Sequence, residues 1–174
     1  LEVMRALWAG DKISVDGHWK IENAQISPQP PQDIEVWIGA SADVAIERAA
    51  KIGDVWLAAP SINMDASKRQ VALYHSALSA CQKPVPDTIA IRRDVYVAKS
   101  RAEANEVKAM TASRGYRGFD SESLVIGDAD EVAEQLLKFN EIGFTDVIVR
   151  NLHRDYDSAL ASTERLASVI KLLS

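Results

Sequence analysis

The segment IGASAD is the part of the chain with the clearest capacity for chemistry, because an apolar run gives way there to a helical pattern. Gly39 has no side chain to obstruct a ligand, and the amides that begin a helix lack intrahelical acceptors. Free amides, the positive end of a helix dipole and a serine hydroxyl together suit an anionic phosphate. This pattern makes a cofactor-binding site of Gly39, Ala40, Ser41 and Ala42 one of two interpretations.

The second interpretation of this segment is structural. Ser41 or Asp43 could simply cap the helix with its side-chain oxygen. Asp43 would also place a carboxylate near the phosphate, which is unfavourable unless the side chain points away. The spacing alone leaves both interpretations open.

Three arginines are candidate ligands for a substrate or another anion. Arg150 ends the apolar run DVIVRN, and in a parallel barrel the carboxyl ends of strands face the active site. A surface salt bridge is the alternative. Arg114 and Arg117 lie in the glycine-rich stretch SRGYRGFD, which could close over an anionic substrate or stay a solvated, mobile loop.

The sequence gives little support to a metal site or to a reactive cysteine. His18, His75 and His153 are too far apart in sequence to show a metal-ligand spacing, so no metal site is predicted. His153 follows the Arg150 strand and could transfer protons, although an ordinary loop histidine is the favoured interpretation. Cys81 is the single cysteine and is predicted to be a small buried hydrophobe on a helix.

The elements that must position these residues alternate between strands and helices. Short continuous apolar runs predict strands at 34–40, 54–59, 89–98 and 146–151, and helical spacing predicts helices at 42–52, 64–82, 100–114, 128–142 and 156–173. Ser100 and Glu103 fit a capping box, and Gly53 is expected to end its helix in the left-handed conformation. The alternation predicts an α/β fold with a parallel sheet, either half of an eight-stranded barrel or a small open sheet.

The first part of the chain has a different pattern. Residues 11–33 are predicted to form a small hairpin, with its turn at Asp16 and Gly17, and a proline-rich extended approach to the first strand of the sheet. A helix that is already under way precedes it. We expect residues 1–174 to form a single domain that contains this segment.

The composition of the chain argues against two classes of partner, nucleic acids and membranes. The chain has 174 residues and a net charge of -5, and its 20 lysines and arginines are scattered, so no nucleic-acid partner is predicted. No run approaches the roughly 18 apolar residues of a membrane span, so no membrane partner is predicted either. A cytoplasmic location is the resulting expectation.

The stretch VWIGASADVAIERAAKIGDVWL resembles the region of the fifth and sixth strands of luciferase-like flavin monooxygenases and their deazaflavin-dependent relatives. LWAGDKISVDGHWKIENAQISPQPPQ and VIGDADEVAEQLLKFNEIGFTDVIVR are similar to segments of the same family, so the resemblance covers nearly the whole chain. It implies the C-terminal half, about four βα units, of a (β/α)8 TIM barrel. It also implies that residues 39–42 hold the phosphate of FMN or, alternatively, of a deazaflavin.

The resemblance implies an oxidoreductase that acts on a small organic substrate with reduced flavin and oxygen. A deazaflavin-dependent dehydrogenase, an unrelated phosphate-binding α/β enzyme and a non-catalytic half-barrel scaffold are the alternatives. The catalytic residues stay unknown, because the family draws the surroundings of the flavin ring largely from the first four strands. A half barrel has two open edges, so we expect a homo-oligomer or association with an N-terminal half.

Overall fold

The computed structural model describes residues 1–153 and 155–174. The described chain forms two compact units, residues 1–36 and residues 37–174. The single domain expected from the sequence stays a prediction.

The first unit contains one helix and one antiparallel hairpin. Its elements are α1 (Glu2–Trp8), β1 (Ile13–Asp16) and β2 (Lys20–Ala24). The predicted hairpin is present, but Asp16 pairs with Lys20, so the turn consists of residues 17–19 and Asp16 belongs to the strand.

The second unit is an α/β structure, as the alternating pattern predicted. Its strands are β3 (Trp37–Ala40), β4 (Val55–Ala58), β5 (Ala90–Val97), β6 (Val125–Gly127) and β7 (Asp146–Asn151). Its helices are α2 (Asp43–Ile52), α3 (Met64–Ala80), α4 (Arg101–Arg114), α5 (Ala129–Glu141) and α6 (Tyr156–Leu173), with a 3-10 turn at Ser121–Ser123. The short strand β6 was not predicted.

All strand pairs of this sheet are parallel. Ala90 and Ile91 of β5 pair with both β4 and β7, so β4 and β7 lie on opposite edges of β5. Val95 pairs with both β6 and β7, which places β6 on the β4 side, further along β5. The four predicted strands therefore follow one another in chain order, with β3 and β7 outermost among the described strands.

The two faces of the sheet pack differently. On the first face, Ile91, Val95 and Val97 join a large apolar core that includes side chains of α2, α3, α5 and α6. On the second face, Tyr96 and Ala98 pack with a smaller cluster from α4 and β6. Because side chains alternate along a strand, successive residues of β5 serve these two environments in turn.

Arg93 lies on the first face and is fully buried. Its Nη1 donates to the carbonyl oxygens of Pro60 (2.8 Å) and Ile62 (2.9 Å), and its Nη2 donates to Oγ of Ser67 (3.0 Å). The guanidinium also sits 4.3 Å from the ring centroid of Phe139. Burial lowers the pKa of Arg93 to about 10. The residue joins β5 to the loop after β4 and to α3, which is a structural task.

Gly53 does not adopt the predicted left-handed conformation. Its φ is −89°, which is ordinary extended backbone. Glycine is needed there for space, because a Cβ would lie 2.8 Å from the carbonyl oxygen of Ala49 and 3.0 Å from Cδ1 of Ile38. Glycines with positive φ instead follow α4 and α5, at Gly115 (φ +70°) and Gly143 (φ +108°).

Cys81 is exposed, so the predicted burial is wrong. The helix ends at Ala80, and Cys81 is the C-cap residue whose amide donates to the carbonyls of Ala77 and Leu78. The apolar stripe of α3 ends one turn earlier, with the buried Leu78.

The predicted cap of α4 is present in altered form. Oγ of Ser100 accepts from the amide of Glu103 (3.3 Å), but the Glu103 carboxylate accepts from the amide of Lys99 instead of that of Ser100. The complete capping box lies at α5, between Asp128 and Glu131. This box directly follows β6.

Candidate functional site

The connection from β3 to α2 presents free backbone donors. Ala42 is the N-cap residue and makes no side-chain cap hydrogen bond. The first amides that donate back into the helix are those of Ala45 (2.9 Å) and Ile46 (3.0 Å), both to the carbonyl of Ala42. The amides of Asp43 and Val44 come before these and have no place in the intrahelical ladder. They are available to an anion.

Open space lies in front of this turn. A Cβ built on Gly39 would meet no atom within 4 Å, and Gly39 is exposed. Ser41 is also exposed, and its hydroxyl makes no hydrogen bond within the described part of the chain. Free amides, an accessible hydroxyl and a glycine with room in front of it fit a phosphate group.

Two side chains from neighbouring elements hold the turn in place. Nε2 of the buried Gln70, on α3, donates to the carbonyl oxygen of Ser41 (2.9 Å). Nε1 of the fully buried Trp56, on β4, donates to the carbonyl oxygen of Ala40 (2.9 Å). The turn is therefore fixed by donors from two elements.

The capping interpretation of this segment finds no support in the structure. Neither Ser41 nor Asp43 caps α2 with its side chain. Asp43 instead faces Arg69, whose Nη1 lies 3.0 Å and 3.1 Å from the two carboxylate oxygens. The negative charge of Asp43, which would repel a phosphate, is thus offset by the positive charge of Arg69 on α3.

The stretch SRGYRGFD forms a hydrogen-bonded turn. The amide of Phe119 donates to the carbonyl of Tyr116 (2.8 Å), and the central residues Arg117 and Gly118 have φ of +53° and +73°. Positive φ at both central positions is the signature of a type I′ turn. The Tyr116 hydroxyl donates to Oδ2 of Asp94 (2.8 Å), which ties the turn to β5. The predicted lid motion stays a prediction.

Asp94 is a further charged residue of β5, for which the sequence predicted no role. This residue is fully buried, and its Oδ1 lies 3.5 Å from Nη2 of Arg92. Arg92 and Asp94 share the second face of the sheet while Arg93 occupies the first, because successive side chains of a strand alternate between its faces. The alternation Arg-x-Asp within a strand was the available signal.

The three predicted anion ligands lie in different settings. Arg150 is an exposed residue of β7 and the register partner of Asp94 on β5. Arg114 is the exposed last residue of α4. The guanidinium of Arg117 lies 5.9 Å from the ring centroid of Phe119. Only Arg150 is in register with another charged residue of the sheet.

A family model described as luciferase-like monooxygenase matches residues 1–121, which is more than half of the chain. The chain belongs to the luciferase-like monooxygenase family. No curated protein matches it.

Solved structures are similar in fold to nearly the whole of this luciferase-like chain, beyond the residues that the family model matches. A monooxygenase from Streptomyces bottropensis has a TM-score of 0.78 at 18% identity, with 98% of this chain and 58% of that chain covered. The coenzyme F420 dependent tetrahydromethanopterin reductase from Methanopyrus kandleri has a TM-score of 0.75 at 17% identity, with 99% and 61% covered.

A third neighbour is the oxygenating constituent of 3,6-diketocamphane monooxygenase from Pseudomonas putida, solved in complex with FMN. Its TM-score is 0.64 at 19% identity, with 97% of this chain and 61% of that chain covered. The luciferase-like chain thus spans about three fifths of the length of these structures. The shared architecture is a partial TIM barrel, which the family resemblance implied and which was one of the two arrangements that the alternating strands and helices left open.

His153 of the luciferase-like chain packs against Tyr96, with ring centroids 4.7 Å apart. The Tyr96 hydroxyl donates to Oε1 of Glu103 (3.0 Å), and burial first, then this hydrogen bond, raises the pKa of Tyr96. Burial also raises the pKa of Glu103, but the Lys99 amide, the Tyr96 hydroxyl and the charge of Arg165 together bring it below its ordinary value. The ring of His153 is thus half-buried and lies beside the hydrogen-bonded pair of Tyr96 and Glu103.

The described residues show neither a candidate metal site nor a candidate membrane-spanning helix. Across residues 1–153 and 155–174, no group of three or more histidine, cysteine, aspartate or glutamate side chains could hold a metal ion. Over the same residues, no helix of the luciferase-like chain has the length and apolar character to cross a membrane.

Proposed function

We propose that this luciferase-like chain is the cofactor-phosphate half of a (β/α)8-barrel oxidoreductase that acts on a small organic substrate with reduced flavin and oxygen. The observation that carries the proposal is the open turn between β3 and α2. Gly39 has empty space in front of it there, and the free amides of Asp43 and Val44 follow directly. Family membership supports the flavin class of cofactor.

In this proposal the phosphate of FMN is held by Gly39, Ala40, Ser41 and Ala42. Gly39 admits the phosphate close to the backbone, Ser41 supplies a hydroxyl donor, and the start of α2 supplies amides and the positive end of the dipole. The flavin, when bound, supplies the redox chemistry. The task of this chain is to bind the cofactor and fix its position.

A deazaflavin-dependent dehydrogenase is the second candidate. The Methanopyrus kandleri reductase, which depends on coenzyme F420, has a higher TM-score (0.75) than the FMN-containing neighbour (0.64). An anion site made of backbone amides does not distinguish the two cofactors by itself. A chain that binds neither would match the non-catalytic scaffold.

The incomplete barrel leads us to infer an association. β3 and β7 each pair on one side only among the described strands, which leaves two sheet edges with unpaired backbone groups. A second copy of the chain or an N-terminal half with the remaining strands would satisfy them. A cytoplasmic location stays a prediction from composition.

Titration of the purified protein with FMN and with coenzyme F420, followed by the change in cofactor fluorescence, tests the proposal. We expect one of them to bind, and Gly39→Val to weaken that binding at least tenfold by filling the space that the phosphate needs. Gly17→Val is the matched control, because a Cβ there would meet only Val15 at 4.0 Å. Absence of binding by either cofactor, or unchanged affinity in Gly39→Val, would contradict the proposal.

A further inference from the structure

An incompletely paired charge cluster lies on the second face of the sheet. Asp94 is fully buried, and its Oδ2 accepts from the Tyr116 hydroxyl (2.8 Å). Its Oδ1 makes no hydrogen bond and only a 3.5 Å contact with Nη2 of Arg92. The Nε of Arg92 is buried and makes no hydrogen bond within the described residues.

Buried charges are costly, and structural pairs usually satisfy their remaining donors and acceptors with further hydrogen bonds. Arg93, the neighbour on the opposite face, also leaves its buried Nε without a partner, but its two Nη atoms make three hydrogen bonds. The cluster on the second face differs in its acceptor: Oδ1 of Asp94 is buried beside Arg92 and accepts no hydrogen bond.

A second arginine lies next to this cluster on the adjacent strand. Arg150 on β7 is the register partner of Asp94 on β5, and partners on parallel strands extend their side chains from the same face. The strands are about 4.8 Å apart. Arg150 is exposed, and its side chain makes no hydrogen bond or ion pair with any other described residue. Two arginines thus flank one buried carboxylate on adjacent strands.

The charges of Arg92, Arg150 and Asp94 indicate which class of ligand this cluster would bind. Two guanidinium groups and one carboxylate leave a single net positive charge, which matches a monoanion, whereas Asp94 would repel a dianionic phosphate more strongly. The planar guanidinium fork fits a planar carboxylate with paired hydrogen bonds. The cluster therefore differs in its chemistry from the backbone-amide site at residues 39–42.

We propose that Arg92 and Arg150 bind a carboxylate group of a small-molecule ligand, and that Asp94 and Tyr116 position Arg92 for it. Naming this ligand as the substrate rests on the proposed function. The site itself rests on the residues of β5, β7 and the 116–119 turn alone. The enzyme would then act on small organic acids.

Isothermal titration of the purified protein with benzoate, and with its uncharged isostere benzamide, tests the site without any flavin. Benzoate is expected to bind at least tenfold more tightly than benzamide. Arg92→Gln and Arg150→Gln are each expected to weaken benzoate about tenfold, the scale of one charge-assisted pair. Arg48→Gln, which removes an exposed arginine within α2, is the matched control and is expected to change nothing.

The Asp94→Asn variant separates positioning from mere support of the fold. Removing the carboxylate leaves two positive charges, so binding of inorganic phosphate should strengthen relative to benzoate. A variant that only loosened the structure would weaken both ligands alike. Equal binding of benzoate and benzamide, an effect of Arg48→Gln as large as that of Arg150→Gln, or an unchanged preference in Asp94→Asn would each overturn the proposal.

The outcome is independent of the cofactor titration. If benzoate binds, and Arg92→Gln and Arg150→Gln each weaken its binding, the anion site is supported even if no flavin binds. Flavin binding that follows Gly39, with no binding of benzoate by the wild-type protein, leaves the proposed function standing and overturns the anion site.

Discussion

Gln70 and Ser41 lie 29 positions apart in the sequence, yet Nε2 of Gln70 donates a 2.9 Å hydrogen bond to the carbonyl oxygen of Ser41. Gln70 is 3% exposed, so the bond is held inside the packing of α3. The carbonyl of Ser41 precedes the free amides of α2. The orientation of the proposed phosphate site therefore depends on a side chain from another helix.

Gln70→Met is expected to keep the volume of this side chain and lose the hydrogen bond to Ser41. Loss of one such bond costs about 1 kcal/mol of stability. Cofactor affinity should fall several-fold because the turn is no longer fixed. Urea unfolding and cofactor titration measure the two effects, with the exposed neighbour Lys68→Met as control. Unchanged affinity in Gln70→Met would show that the turn is held without this bond.

Gly53 and Gly39 should respond in opposite ways to alanine. A Cβ at Gly53 lies 2.8 Å from the Ala49 carbonyl, which is backbone and cannot turn aside, so Gly53→Ala should cost about 1–3 kcal/mol. A Cβ at Gly39 meets nothing within 4 Å, so Gly39→Ala should be neutral or slightly stabilising, within about 1 kcal/mol. Urea midpoints compare them, and equal midpoints would contradict the different environments.

Glu103 should make stability depend on acidic pH. Its pKa in the folded protein is below the ordinary value of 4.5, so its contribution is fully present above that value and is lost as pH falls through the folded pKa. Wild type should exceed Glu103→Gln in stability at pH 7, and the difference should vanish below the folded pKa.

Urea midpoints of both proteins from pH 7 to pH 3 measure this effect. Glu106→Gln, an exposed position on the same helix, is the control and should show no such pH-dependent difference. A constant difference between wild type and Glu103→Gln across this range would rule out the titration of Glu103 as its source.

The open side of β7 should favour association. Ile148 and Val149 are 39% and 38% exposed, and Val149 lines a cavity of about 580 Å³ between α5, β7 and α6. Apolar surface of this kind on an outermost strand marks an interaction site. The purified chain should sediment above the 19.1 kDa of a monomer.

Val149→Lys should shift that equilibrium towards the monomer by placing a charge in the cavity. Val85→Lys, at an apolar position that is 54% exposed and outside the cavity, is the control and should leave it unchanged. A stable wild-type monomer in sedimentation velocity would count against association of two copies of the chain.

Local patterns were sufficient for most of the fold. Apolar runs in β3, β4, β5 and β7 and helical spacing between them predicted the α/β order, because hydrophobic periodicity is set by neighbours in the chain. The same patterns missed β6, whose three residues are too few to show a period. They also misjudged Gly53, because its requirement for glycine comes from Ile38 on another element as well as from its own helix.

The sequence by itself determined the family, the strand-to-helix turn at residues 39–42 and Arg150 as a residue of the last strand. These follow from residue types that lie close together along the chain. Only the tertiary structure decided that Gln70 and Trp56 hold the turn and that Asp43 pairs with Arg69. It also decided that the buried Asp94 contacts Arg92 and is the register partner of Arg150. The physical reason is that parallel strands in register bring residues such as 94 and 150 side by side, and no local pattern encodes that pairing.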